Sequence, residues 1–124
     1  MRVFKTKYFS RWMRKTELTD LALCKAVAEM SRGLIDADLG GSVVKKRVGL
    51  SGRGKRGGAR TLVATNKGTR WFFVFGFEKS ERANISADEL AALQDIAADL
   101  IGRTTSALDK AVRDGALKEI CHDN

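Results

Sequence analysis

Between Arg70 and Phe77 the chain reads Arg-Trp-Phe-Phe-Val-Phe-Gly-Phe, apolar at nearly every position. A strand with one wet face alternates apolar and polar residues; one that is apolar throughout is buried on both faces. This segment therefore belongs in the centre of a sheet and needs helices to cover it. The rest of the chain has to supply those helices and the neighbouring strands.

The flanking patterns meet that demand. Arg2-Val3-Phe4-Lys5-Thr6 alternates and reads as a short strand. Tyr8, Phe9, Trp12 and Met13 recur at helical spacing, with Lys7, Arg11 and Arg14 on the other face; this stripe reads as core or a groove for a partner rather than as a platform for bases. Thr19 before Asp20 is an N-cap, Leu23, Val27 and Met30 share one face, and Gly33 sits where a helix ends. Residues 36–41 read as a turn-rich connection. Val43–Val48 is a strand, Ser51–Ala59 a flexible basic loop, and Leu62–Thr65 a return to the sheet. Asn66-Lys67-Gly68 is a hairpin turn with a residue free to take positive φ. Ser86-Ala87-Asp88-Glu89 is a capping box, opening a helix with Leu90, Leu93, Ile96, Ala97 and Leu100 inward and Gly102 at its end. A shorter helix over about 106–113 and an edge strand at Leu117–Ile120 complete the chain. The expected fold is one α+β domain over residues 1–124. Its sheet is mostly antiparallel with about four strands, with N-terminal helices packed on it and further helices at the C-terminal end.

The charge is lopsided. Residues 1–82 hold 19 Lys and Arg against 7 Asp and Glu, while residues 83–124 hold 4 against 8. From Val43 to Arg70 there are nine basic residues and no acidic one: Lys45, Lys46, Arg47, Arg53, Lys55, Arg56, Arg60, Lys67 and Arg70. Gly52, Gly54, Gly57 and Gly58 punctuate that run. Such a segment repels itself unless an anion neutralises it, and a phosphate backbone is the anion of matching size.

Most catalytic constellations are excluded. The lone His122 lies near the C-terminus, where chains fray. Cys24 and Cys121 have no CxxC neighbours, and they suit a reducing compartment without a disulfide framework. Asp36 and Asp38 read as turn-formers or as salt-bridge partners of the basic loop, not as a metal pair. The Gly-rich stretch lacks GK[ST], so it is no Walker A loop. No metal or cofactor is expected. No apolar stretch reaches the roughly 20 residues that span a bilayer, and no signal-peptide h-region is present, so the expectation is a soluble cytoplasmic protein without a membrane partner.

What remains is arginine and lysine chemistry on phosphate. Glycines let a basic backbone approach a phosphodiester closely. Arginine forks stabilise a phosphorane as charge builds, and a lysine crowded by cations has its pKa lowered towards that of a base. RNA brings its own nucleophile, the 2′-OH. On these residues alone, gripping a backbone and cleaving it stand equally open.

The motifs are those of a known group. Gly33-Leu34-Ile35-Asp36-Ala37-Asp38-Leu39-Gly40-Gly41, then Lys45-Lys46-Arg47, then Gly54-Lys55-Arg56-Gly57-Gly58-Ala59-Arg60, then residues 73–85 resemble the RelE/HigB family of type II toxin–antitoxin toxins. The resemblance implies a compact antiparallel sheet with two N-terminal helices on one side. It also implies ribosome-dependent cleavage of mRNA, restrained by a co-encoded antitoxin, commonly of helix-turn-helix type in this subgroup. By position, Arg60 matches the sheet arginine at the scissile phosphate, Lys55 and Arg56 the loop cations, and Lys79 and Arg82 the cluster after the central strand. Arg60, Lys55, Lys79 and Arg82 are thus the expected catalytic set. Lys45, Lys46, Arg47, Arg53, Arg56, Lys67 and Arg70 are the expected contacts to RNA or ribosome. The chain departs from the pattern at Ser86, where the best-known member has a tyrosine, and at Ser80, where an arginine is usual; no histidine replaces either. The competing functions are a non-catalytic inhibitor of DNA gyrase on the same fold, as in the ParE branch, and a plain nucleic-acid-binding module.

Overall fold

The computed structural model describes residues 1–50 and 54–122, with the backbone alone for residues 54–56. Its elements run β1 (Arg2–Thr6), α1 (Lys7–Met13), α2 (Asp20–Ser31), β2 (Ala37–Gly40), β3 (Val43–Leu50), β4 (Gly54–Thr65), β5 (Arg70–Glu78), α3 (Ala87–Ile101), α4 (Thr105–Arg113) and β6 (Leu117–Ile120). Among the described residues the strands form one sheet in the order β2-β3-β4-β5-β1-β6.

β5 is the doubly buried strand: Trp71, Phe72 and Phe73 are each 0% exposed. Trp71 and Phe73 join Phe9, Leu23, Val27 and Met30 in the core under α1 and α2. Phe72, Val74 and Phe77 join Leu93, Ala97, Leu100 and Leu108 in the core under α3 and α4. Helices therefore cover both faces of the sheet. The register slips between Leu62 and Val63 of β4, where Leu62 faces Phe75 and Val63 faces Phe73. That bulge resets the alternation, so Phe75 and Phe77 both stand on the α3 face with Leu62.

Three differences from the sequence reading have physical causes. The sheet has six strands and is mixed, because β1 pairs with β5 in parallel. A parallel neighbour needs a long crossover, and the excursion through both N-terminal helices and three strands provides it. The expected turn at residues 36–41 contains β2, whose Asp and Gly residues are weak strand formers; it is held because the Asp36 N–H donates to the Lys45 carbonyl and the Arg47 N–H to Asp36 Oδ2 at 2.7 Å. The expected loop over residues 51–59 is strand from Gly54 onward, paired to β3. A Cβ on Gly58 would lie 2.2 Å from the Val48 carbonyl oxygen, so only glycine lets these two backbones pass so closely.

The helix ends follow the sequence signals. Thr19 Oγ1 accepts from the Ala22 N–H, and Ser86 and Glu89 complete a reciprocal capping box. The inward stripe of α3 is narrower than expected: Leu93, Ala97 and Leu100 are buried, whereas Ile96 is 43% exposed. In the hairpin turn, Lys67 takes the positive φ of 64°. The Asn66 side-chain carbonyl stabilises that turn by accepting from the N–H groups of Gly68, Thr69 and Arg70. None of the described helices is long and apolar enough to cross a membrane.

The cysteine reading is corrected. Cys24 on α2 and Cys121 beyond β6 are disulfide-bonded, with Cα atoms 5.5 Å apart across 97 residues of sequence. Sequence spacing could not show this, because β1 brings β6 to the α2 side of the sheet only once the fold is complete. In the chain-entropy account, closing so long a loop stabilises a fold by about 4–5 kcal/mol. Guanidinium midpoints taken with and without dithiothreitol should differ accordingly, and a non-reducing digest should yield the Cys24–Cys121 peptide pair.

Candidate RNA-binding surface

Arg60 lies midway along β4, opposite Arg47 on β3 and Phe77 on β5. Directly paired residues share a face. Lys45, paired with Leu62, therefore joins Arg47, Arg60 and Phe77 on the α3 face. Arg60 is only 9% exposed, and its one described side-chain hydrogen bond runs from Nη1 to the Gly58 carbonyl at 3.3 Å. No carboxylate partners it among the described residues. A guanidinium held in low dielectric without a counter-ion is costly, and an arriving phosphate would relieve that cost.

Arg82 completes this end of the sheet. Its guanidinium lies 5.9 Å from the centre of the Phe75 ring and 5.8 Å from that of Phe77. Nη1 donates to Glu89 Oε2 at 2.9 Å, Nη2 to Glu89 Oε1, and Nε to the Asn84 carbonyl at 3.0 Å. This fork raises the Arg82 pKa, the Glu89 hydrogen bond contributing most and the nearby Tyr8 phenol adding a smaller electrostatic effect. Lys79 is exposed just past the strand. Around the same end, Glu81 Oε1 accepts from the Glu78 N–H at 2.6 Å.

The other expected contacts separate. Lys46 points the opposite way, buried under α2, where its ammonium meets Glu29 Oε1 at 2.8 Å and the Leu34 carbonyl at 2.8 Å. It anchors a helix instead of facing solvent. Arg70 caps the end of α3: Nη1 donates to the Ile101 carbonyl at 3.1 Å and to the Arg103 carbonyl, and Nη2 reaches Thr105 Oγ1. A cation suits carbonyls at a helix C-terminus. Seven residues of extended chain separate Arg70 from Phe77, roughly 23 Å, so Arg70 does not join the Arg60 cluster. Lys67 is at that far end too, paired with Asp38 Oδ2 at 2.5 Å. Asp38, within β2, also accepts from the Gly40 N–H. Arg53 and the side chains of Lys55 and Arg56 lie outside the described residues.

Two surfaces were not foreseen. Lys7, Ser10, Arg11, Arg14, Lys118 and His122 line a basic groove of about 520 Å³ between α1 and β6. The buried Ser10 hydroxyl there has no hydrogen-bond partner among the described residues. Tyr8, Val74, Phe75, Leu93 and Ile96 line a more apolar groove of about 600 Å³ between α1 and α3. The spacing of Lys7, Arg11 and Arg14 on one helix face signals the first; no sequence pattern brings Tyr8 to α3. Among the described residues no cluster of His, Cys, Asp and Glu is suited to a metal ion.

The Arg70 placement is testable. Arg70→Met should lower stability by about 1–3 kcal/mol through the orphaned α3 carbonyls, read in urea melts, and leave RNA affinity unchanged. Glu89 gives a pH signature. Arg82 first, then the Ser86 N–H, hold its carboxyl at about 2, below the ordinary 4.5. A carboxyl depressed on folding stabilises the fold fully above its unfolded pKa and loses that contribution as pH falls through the folded one. Unfolding free energy should therefore decline between about pH 4.5 and 2, and Glu89→Gln, which keeps a capping residue, should flatten that part of the profile.

A family model described as RelE toxin of RelE / RelB toxin-antitoxin system matches residues 1–120 of the chain. No curated protein sequence matches it.

Proposed function

Because this chain belongs to the RelE toxin family of toxin–antitoxin systems, we propose that it arrests translation as an endoribonuclease that cuts messenger RNA on the ribosome. Membership makes it a toxin with a cognate antitoxin; the chemistry is our reading. The observation that carries it is Arg60, a buried guanidinium without a carboxylate partner among the described residues, on a sheet face shared with Lys45 and Arg47.

In this reading the 2′-OH of one nucleotide attacks the adjoining phosphorus, and the 5′-oxygen of the next nucleotide leaves. Arg60 steadies the non-bridging oxygens as negative charge grows on the phosphorane. Lys55 and Lys79 move the protons, one away from the 2′-OH and one towards the leaving oxygen. Arg82 contributes charge from beyond β5, tempered by its fork with Glu89. Lys45 and Arg47 hold the flanking backbone, with Arg53 and Arg56 added from the Gly-rich segment. The groove of Lys7, Arg11, Arg14 and Lys118 supplies a second basic surface for ribosomal RNA. The reaction needs no metal or cofactor, because RNA carries the nucleophile. The HigB-like motifs further favour a helix-turn-helix antitoxin, and the substrate places the toxin in the cytoplasm.

Expression should stop protein synthesis, with messages cut only while ribosomes translate them. Arg60→Ala should lower cleavage by about 10²–10³-fold, the cost of losing one transition-state donor, and restore growth. Circular dichroism of Arg60→Ala and Arg60→Lys checks that the fold persists. Cuts in naked RNA, or blocked DNA replication with translation intact, would overturn this reading.

A further inference from the structure

We propose that the groove between α1 and α3 is a nucleobase pocket, in which one unpaired base of the bound RNA stacks on Tyr8 while its backbone runs towards Arg60. This rests on the RNA-cleaving reading and adds a base-reading subsite to it.

Tyr8 is an aromatic ring presented at the surface. It is 56% exposed, although Phe75 covers one of its faces, with ring centres 5.8 Å apart and planes 10° from parallel. Beside it the groove is walled by Val74, Ala92, Leu93 and Ile96, the last left 43% exposed while Leu93, Ala97 and Leu100 of the same helix are buried. Its volume of about 600 Å³ falls within the range of small-ligand sites. Neither Tyr8 nor Ile96 belongs to the two buried core clusters.

The groove is continuous with the cations. Tyr8 stacks on Phe75, Arg82 lies over both Phe75 and Phe77, and Phe77 is the cross-strand partner of Arg60. Lys7 stands on the rim. An aromatic face beside guanidinium groups is how proteins hold splayed single-stranded bases: the ring takes the base and the cations take its phosphates. An apolar helix from a protein partner would fill the walls but would have no use for the neighbouring row of cations.

The test measures binding to ribosomes programmed with a message methylated at its 2′-oxygens, so that it cannot be cut, with an abasic nucleotide placed in turn at each decoding position. Tyr8→Ala and Tyr8→Leu should each weaken binding about ten-fold, the loss expected for one base-stacking ring. Tyr8→Phe and Tyr8→Trp should bind as the parent does. At one position the abasic message should weaken the parent to the same degree and abolish the further effect of Tyr8→Ala. Arg60→Ala should weaken binding whichever base is missing, which reads the backbone grip separately. If Tyr8→Ala has no effect, or the same effect on every abasic message, the pocket is refuted while the backbone grip stands. Loss confined to antitoxin binding would make the groove a protein seat and refute the pocket too. If the parent fails to bind programmed ribosomes, both readings fall.

Discussion

The burial of β5 on both faces organises everything else in the molecule. Trp71 and Phe73 on one side, and Phe72, Val74 and Phe77 on the other, leave no face that water can solvate. Each face then requires its own layer, and the chain supplies α1 and α2 from before the sheet and α3 and α4 from after it. β4 takes one edge of the strand in antiparallel pairing and β1 takes the other in parallel. β6 closes the outer edge, held by Arg2, whose guanidinium donates to Glu119 at 2.8–2.9 Å and to Asp109 at 2.8 Å. A Cβ on Gly76 would lie 2.3 Å from the Trp12 ring, so the same strand narrows where α1 packs across it.

That organisation sorts the basic residues. A strand presents alternate side chains to opposite faces, so Lys45, Lys46 and Arg47 cannot act together. Lys46 goes under α2 and pairs with Glu29, while its neighbours stay on the α3 side. Arg70 and Lys67 are taken up by helix carbonyls and by Asp38 at the far end of the hairpin. Composition therefore overstates the charge available to a polyanion. Of the basic run, the described side chains left on the α3 face near β4 are Lys45, Arg47 and Arg60.

Much of the fold was legible because local signals agreed with tertiary need. The Thr19 cap, the Ser86–Glu89 box and the continuous apolar run each have a short-range cause, and each is found in place. β2 was not legible, since Asp38 and Gly40 are strand residues only because β3 and the Asp36 carboxylate receive them. The disulfide, the Arg82–Glu89 fork and the Tyr8–Phe75 stack are likewise products of tertiary assembly. Tyr8 shows the limit of periodicity: it belongs by spacing to the stripe of Phe9 and Met13, yet only those two are buried. A seven-residue helix has two turns, and a residue at the flank of its apolar stripe can face a different layer from its neighbours.

The Arg82–Glu89 fork also sets the charge balance at this end of the sheet. Arg60 and Arg82 approach the same Phe77 from the sheet and from the following loop, and two bare guanidinium groups there would repel. Glu89 offsets that repulsion at Arg82, whereas Arg60 has no carboxylate partner among the described residues. Because Glu89 is also the third residue of α3, its position is fixed by the capping box and not by the cation alone. The helix start thus sets where the counter-charge of Arg82 sits. The beginning of α3 therefore belongs to the same surface as Arg82, although none of its residues is basic.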